Sequence, residues 1–133
     1  MSRLLLDTHA WAWSLLAHER LSARAIEAID TAQAVSISAI SFYEIGQKIR
    51  LGKWPEMAPY QLELVGLAAR QGIKVLDVSA AASLGASILD WNHRDPFDRI
   101  IGATALMEDI KLVSADVAFD ELNTLELWPG RLW

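Results

Sequence analysis

Short apolar runs alternate along this chain with longer stretches in which apolar residues recur every three or four positions. The short runs predict strands and the longer stretches predict helices, because side chains repeat with a period of two residues in a strand and of 3.6 in a helix. We predict strands at residues 3–7, 34–37, 74–78, 112–114 and 125–128.

The predicted helices have recognisable ends. We predict helices at residues 9–18, 22–32, 41–51, 57–71, 80–89 and 98–108. Ser22 would cap the second of these, whereas Gly52 and Gly72 would close the third and the fourth. Strands that alternate with helices predict an α/β fold in three layers, with a central, mostly parallel sheet of four or five short strands between helices. We expect residues 1–133 to form one domain.

The composition excludes several classes of protein. The chain has 133 residues and no cysteine, which excludes disulfides, thiolate zinc sites and thiol nucleophiles. Hydrophobic residues reach 53%, but the apolar runs are too short to span a membrane, and the N-terminus lacks the apolar stretch of a signal peptide. We therefore expect a cytoplasmic protein that does not bind to a membrane.

The negative charge is unevenly distributed. The net charge is −5, and residues 90–133 hold nine acidic and four basic residues, whereas residues 1–89 hold eight of each. This balance excludes a globally basic nucleic-acid-binding protein. It still permits an enzyme that acts on nucleic acid through bound cations, because a cation reverses the local field.

Acidic residues occupy the junctions between the predicted elements. Asp7 ends the first strand, Glu44 lies one turn into the third helix, Asp98 belongs to the segment HRDPFDR (93–99), and Asp116 follows the fourth strand. In open α/β sheets such junctions meet at one crevice, where ligands bind. Carboxylates gathered there would repel one another unless protons or a hard cation neutralised them.

Each acid also has a purely structural interpretation. Asp7, Asp95 and Asp116 each stand where they could cap the helix that follows. Ser41 and Glu44 match the capping-box spacing, in which the glutamate returns a hydrogen bond to the start of its own helix. Separate caps do not predict convergence on one site, so the residues alone leave both interpretations open.

Three segments carry a family resemblance. LLLDTHAWAW, SFYEIGQKIRLGKW and HRDPFDRIIGATAL followed by LVSAD occur in this order along the whole chain. With these segments the chain resembles PIN-domain ribonucleases, and among them the VapC-type toxins of bacterial toxin–antitoxin pairs. The resemblance implies a PIN-like fold and RNA hydrolysis at an acidic site that binds Mg²⁺ or Mn²⁺. The catalytic and metal-binding residues that it implies are Asp7, Glu44, Asp98 and Asp116.

Four further residues are expected to order these acids. The resemblance gives Ser114 the position of a hydroxyl in the site and places Asp95 behind the acids. We expect Thr8 and His93 to help as well, since Thr8 follows Asp7 directly and His93 lies just before the DPFDR segment.

Two groups of residues are predicted to bind macromolecules. Lys48, Arg50 and Lys53 form the only dense basic cluster, which we expect to bind RNA; the alternative is a solvated helix face. A groove for an antitoxin protein is predicted from exposed aromatic residues, with core residues as the alternative, and a homodimer is implied by the resemblance. The residues predicted for this groove are Trp11, Leu15 and Trp54.

Two other functions remain open from the sequence. One is a receiver-like, Mg²⁺-binding phosphoacceptor domain, which also has an aspartate at a strand end. It is disfavoured because no acidic pair accompanies Asp7 and because Lys111 precedes its strand. The other is a PIN-like binding module without catalytic activity.

Overall fold

A five-stranded parallel sheet forms the centre of the computed structural model, which describes residues 2–133. The strand order is β3-β2-β1-β4-β5, and every neighbouring pair is parallel. The predicted α/β fold with a parallel sheet between helices is therefore confirmed. The strands are β1 (Arg3–Leu6), β2 (Ala34–Ser38), β3 (Lys74–Leu76), β4 (Lys111–Val113) and β5 (Arg131–Leu132).

Within the described part of the chain, six α-helices and three 3₁₀ segments connect the strands. The predicted cap of the second helix is confirmed, since the Ser22 hydroxyl accepts a hydrogen bond from the Ala25 backbone amide. Among residues 2–133, no helix is long and apolar enough to cross a membrane. The α-helices are α1 (Thr8–Leu16), α2 (Ala23–Thr31), α3 (Ile40–Arg50), α4 (Leu64–Arg70), α5 (Ala80–Ile88) and α6 (Pro96–Glu108), and the 3₁₀ segments are His18–Arg20, Pro55–Tyr60 and Val117–Thr124.

The sheet is buried on both faces. Along β1, Leu4 and Leu6 pack into one core with Trp11 of α1, whereas Leu5 packs into a second core with Ile101 of α6. Successive strand side chains point to opposite faces, so a continuous apolar run is what a strand covered on both sides requires. The run LLL is thereby explained by the two layers of helices.

The strand register brings two polar side chains to the same edge of the sheet. Leu6 of β1 lies opposite Ile37 of β2 on one side and Val113 of β4 on the other. Because the strands are parallel, the residues that follow β1 and β4 emerge at the same, carboxyl-terminal edge of the sheet. Asp7 and Ser114 are those residues, and they lie in contact.

Two predicted elements are wrong. The predicted helix at 57–71 is instead the 3₁₀ segment Pro55–Tyr60, a turn at 61–63 and the short helix α4. Pro59, which disfavours α-helical geometry at the residue before it, lies inside the 3₁₀ segment. The predicted strand at 125–128 is absent. Its Trp128 is buried in the second core instead, and the chain turns at Gly130, with φ 106°, before β5 begins at Arg131.

Candidate active site

The four acids at the element junctions line a single cleft at the carboxyl-terminal edge of the sheet. Asp7 follows β1, Glu44 lies in α3, Asp98 lies in the first turn of α6, and Asp116 follows β4. The cleft has a volume of about 430 Å³. Its other lining residues are His9, Trp13, Lys48, His93, Asp95 and Ala115. Four separate elements thus contribute these four acids, and Asp95 at the start of α6 adds a fifth carboxylate.

Asp7 lies at the floor of the cleft. Its side chain caps α1, because Oδ1 accepts a hydrogen bond from the Ala10 amide at 2.9 Å. Oδ2 accepts a second bond from the Ser114 hydroxyl of β4's carboxyl end. Burial is the main cause that raises the pKa of the Asp7 carboxyl to about 7; the charges of Asp98 and Glu44 act in the same direction, whereas the hydrogen bonds from Ser114 and Ala10 oppose it. The structural cap and the cleft carboxylate are therefore the same residue.

Glu44 does not form the capping box that its spacing with Ser41 permits. The Ser41 hydroxyl pairs with the Thr8 hydroxyl at 2.9 Å, which ties α1 to α3. The Glu44 side chain, only 3% exposed, receives the Lys48 ammonium on Oε2 at 2.8 Å. Its other oxygen, Oε1, is buried and has no hydrogen-bond partner among residues 2–133. Such a carboxylate oxygen is costly unless something binds it.

The segment before α6 holds the third acid. Asp95 caps α6 by accepting hydrogen bonds from the Phe97 amide at 2.8 Å and the Asp98 amide at 3.4 Å. His93 Nε2 lies 2.7 Å from Asp98 Oδ2. Burial raises the pKa of the Asp98 carboxyl to about 6 despite the hydrogen bond from His93, and the charges of Asp95 and Glu44 act in the same direction.

The side chains of His93, Asp98 and Asp116 approach one another most closely. Each offers one ligand atom, and these atoms all lie within 4.8 Å of one another. Asp116 is exposed, and its Oδ1 accepts a hydrogen bond from the Ala118 amide. The sequence suggested only that His93 orders the acids, but its ring nitrogen stands where it could itself bind an ion. Its position two residues before the DPFDR segment was the available signal.

The donor set fits a hard cation. Carboxylate oxygens are the ligands that Mg²⁺ and Mn²⁺ prefer, and a few of them suffice for Mg²⁺, which keeps several waters. The raised pKa values of Asp7 and Asp98 reflect buried charge that lacks compensation. The unpaired oxygen of Glu44 is a further acceptor on the same cleft. These features indicate a site in which a bound cation would balance the negative charge of the carboxylates.

Arg99 is a structural determinant that the sequence analysis missed. Its guanidinium donates to the carbonyl oxygens of Trp91 and Leu89, each at 2.6 Å, and of Ala86 and His93, each at 2.9 Å. A weaker bond of 3.4 Å reaches a fifth carbonyl. Arg99 therefore fixes the loop that carries His93 into the cleft. Arginine suits this task because its planar fork offers five donors.

The three basic residues predicted to bind RNA are placed differently from one another. Lys48 is half-buried and lines the cleft, where its ammonium also lies 5.5 Å from the centre of the Trp54 ring. Arg50 and Lys53 are exposed and outside the lining of the cleft. Only Lys48 therefore reaches the acids directly.

The predicted groove of Trp11 and Leu15 requires correction. Trp11 has no exposed surface, because it packs into the first core and donates its indole hydrogen to Gln71 at 2.8 Å. Leu15 is half-buried against the same core. Trp54 instead lines a second cleft of about 280 Å³ with Trp13, which also borders the acidic cleft. Helical spacing alone could not tell which face of α1 meets the core.

The protein is a parallel α/β protein in which acidic residues meet in a cleft at the strand ends. Comparison with known families identifies the family to which it belongs. The family model of the PIN domain matches residues 4–125. The chain therefore belongs to the PIN domain family. This membership leaves no support for the receiver-like alternative.

Individual relatives agree with this assignment. The chain is 29% identical over 125 residues to Ribonuclease VapC22 of Mycobacterium tuberculosis, which covers 87% of this chain and 88% of that protein. Among solved structures it is similar in fold to a crystal structure of VapBC2 from Rickettsia felis bound to promoter DNA, with a TM-score of 0.66, 15% identity and coverage of 98% of this chain and 99% of that one. A toxin–antitoxin complex from Klebsiella pneumoniae gives a TM-score of 0.64 at 16% identity, with 93% of each chain covered.

Proposed function

We propose that this chain is a metal-dependent endoribonuclease and the toxin of a toxin–antitoxin pair. The observation that carries the proposal is the meeting of Asp7, Glu44, Asp98 and Asp116, from four elements of a PIN fold, in one cleft. The similarity to a protein named Ribonuclease VapC22 supports the reaction class. Hydrolysis of an RNA phosphodiester is the chemistry that such a carboxylate site performs with Mg²⁺ or Mn²⁺.

The proposed roles follow from burial and position. A bound divalent cation supplies neutralisation of phosphate charge and activation of water. Asp98 and Asp7 are our choice of direct ligands, with Glu44 and Asp116 holding the waters of the ion or a second ion. Asp116 is the exposed acid of the four, so we assign it to orient the attacking water.

The neighbouring residues have supporting roles in this proposal. Ser114 holds Asp7 through its hydroxyl, and the Thr8–Ser41 bond fixes the distance between the elements that carry Asp7 and Glu44. Asp95 sets the start of α6, and with it the position of the Asp98 backbone. We further propose His93 as an orienting partner of Asp98 and a candidate ligand.

RNA is proposed to cross the cleft along its basic side. Lys48 lies within the cleft, and Arg50 and Lys53 follow it closely along the chain at exposed positions. Phosphate contacts by such side chains are electrostatic and independent of sequence. A non-catalytic binding module would share this surface, so cleavage itself must be measured.

We propose that a small antitoxin protein binds beside the active site and that the toxin forms a homodimer. The similarity in fold to chains from a VapBC2 crystal structure and from a toxin–antitoxin complex motivates the partner. The second cleft, lined by Trp13, Leu16 and Trp54, replaces the groove first predicted. Trp13→Ala is expected to weaken antitoxin binding in a tryptophan fluorescence titration, while unchanged affinity would place the partner elsewhere.

A cleavage assay tests the enzymatic proposal. The purified protein should cut single-stranded RNA in Mg²⁺ or Mn²⁺, lose this activity in a chelator and regain it when the ion is restored. Asp98→Asn should bind RNA and remain folded by circular dichroism but should not cleave. Cleavage that persists in the chelator and in this variant would refute the proposal.

A further inference from the structure

We infer that Lys48 is a built-in counterion that competes with the divalent cation for Glu44 and thereby lowers the metal affinity of the cleft. The inference rests on the proposed function, because it concerns the same acidic site. It assigns Lys48 a role toward the ion in addition to any contact with RNA.

The geometry supports this competition. The Lys48 ammonium lies 2.8 Å from Glu44 Oε2, and both residues line the acidic cleft. The compact group of possible ligand atoms comprises His93, Asp98 and Asp116, and Glu44 is outside it. Asp7 is outside this group as well, but of these two acids Glu44 alone has one of its oxygens paired with a cationic side chain.

Because Glu44 is buried, its ion pair with Lys48 matters for the charge balance of the cleft. Glu44 is only 3% exposed, so its charge needs a partner in the metal-free protein. Lys48 supplies one positive charge to Oε2, while Oε1 stays without a hydrogen-bond partner among the described residues. A divalent ion brings more charge to the same carboxylate and can use the free oxygen. It must nevertheless approach against the repulsion of the ammonium.

The released lysine would remain in the cleft. Its ammonium already lies 5.5 Å from the centre of the Trp54 ring, and the side chain is 28% exposed. A lysine ammonium is a mobile point charge on a flexible stem, so it can move from the carboxylate to a phosphate of the substrate. Ion binding at Glu44 would thus free a cation for RNA.

The affinity for Mn²⁺, measured without RNA, tests the inference independently of RNA cleavage. Isothermal titration calorimetry and the loss of the free-Mn²⁺ electron paramagnetic resonance signal would compare the wild type with Lys48→Met and Lys48→Gln. Both variants should bind Mn²⁺ about threefold to tenfold more tightly, as expected for removing one charge from near a divalent ion in a partly screened site. Lys48→Arg, which keeps the charge, should stay close to the wild type.

A matched control removes a lysine that does not line the cleft. Lys74 is exposed and begins β3, two strands away from β1, so Lys74→Met deletes the same charge outside the cleft, and its Mn²⁺ affinity should stay within twofold of the wild type. Equal affinity in the wild type and in both Lys48 variants would overturn the inference while leaving the proposed function intact. Absence of Mn²⁺ binding in every form would instead reject the metal site itself.

Discussion

The two sides of the acidic cleft are held by different means. On the α6 side, Asp95 caps the helix and His93 bonds Asp98. Arg99 holds the preceding loop and the end of α5 by hydrogen bonds to five of their carbonyl oxygens. On the α3 side, Glu44 is held by one ion pair with Lys48 and keeps one oxygen unpaired. The α6 side is fixed by many bonds to backbone, whereas the Glu44 side chain is held by a single contact, although α3 itself is tied to α1 by the Thr8–Ser41 bond.

This difference separates a preorganised half from an adjustable half. Preorganised ligands lower the cost of binding, because their conformational freedom is lost on folding instead of on binding. A single lysine side chain can move away from Glu44 without any change in backbone. We therefore expect the ion to bind first on the α6 side and to recruit Glu44 as Lys48 is displaced.

The largest expected effect is on the cleavage rate, which should fall more for a variant on the α6 side than for one on the α3 side. Asp98→Asn removes a proposed direct ligand from the fixed side and should lower the cleavage rate about a thousandfold or more, a loss of roughly 4 kcal/mol in transition-state stabilisation. Glu44→Gln, on the adjustable side, should lower it only about tenfold to a hundredfold. Single-turnover cleavage of one RNA by both variants provides the comparison. Equal losses would mean that the ion uses both sides alike.

The next effect concerns stability. Arg99→Met deletes several charge-assisted hydrogen bonds and leaves partly buried carbonyl oxygens without donors, so urea unfolding should show a loss of about 3 kcal/mol. Lys48→Met should cost less, because only one partly exposed ion pair is lost. Arg94→Met, at an exposed position, is the control and should stay within about 0.5 kcal/mol of the wild type. A negligible effect of Arg99→Met would contradict the fixed character of the α6 side.

A smaller effect concerns the pH dependence of stability. In the metal-free protein, burial raises the pKa of Asp7 to about 7 and that of Asp98 to about 6. An unfolded chain has a value near 4, so the folded state binds protons more tightly. Both carboxyls should therefore stabilise the fold at low pH and lose that contribution as pH rises from about 4 to about 7.

Urea unfolding between pH 5 and pH 8 measures this dependence. Asp7→Asn should be more stable than the metal-free wild type at pH 8 by at least about 1 kcal/mol, since one pKa unit corresponds to 1.36 kcal/mol. The asparagine keeps an oxygen that can cap α1. Saturating Mn²⁺ should reverse the order of the two proteins. A wild type that gains stability from pH 5 to pH 8 without metal would contradict the raised pKa values.

The smallest effect concerns RNA affinity. Replacing Lys48, Arg50 and Lys53 together by Gln should weaken RNA binding and lower its salt dependence by up to about three counterions' worth, or about two in slope for a single strand. A catalytically inactive Asp98→Asn background keeps the RNA intact during the titration. An unchanged slope would favour a solvated helix face.

The sequence predicted the convergence of the acids better than it predicted the helices and the groove around them. Asp7, Asp98 and Asp116 were found at strand and helix ends, because the carboxyl edge of a parallel sheet is where such junctions meet. The structure also explains why helix capping alone could account for these acids. Each of Asp7 and Asp116 does cap the element that follows, and the same carboxylate lines the cleft.

What the sequence missed depends on tertiary packing. The burial of Trp11 follows from the face of α1 that meets the core, and the break near Pro59 follows from a proline within an otherwise helical pattern. The Arg99 contacts were invisible because all its acceptors are backbone carbonyls, which leave no mark on the sequence. For Glu44 the spacing permitted both a capping box with Ser41, three residues earlier, and an ion pair with Lys48, four residues later, and only the structure shows that the ion pair forms.

A crystal structure with Mn²⁺ would show directly whether the four acids form one metal site, because the anomalous scattering of the ion locates it independently of activity. We expect an anomalous peak in the acidic cleft with Asp98 bound directly to the ion, Asp7 beside it, and Lys48 moved away from Glu44. A peak elsewhere on the protein, or none in the cleft at saturating Mn²⁺, would contradict the claim that the four acids form one metal site.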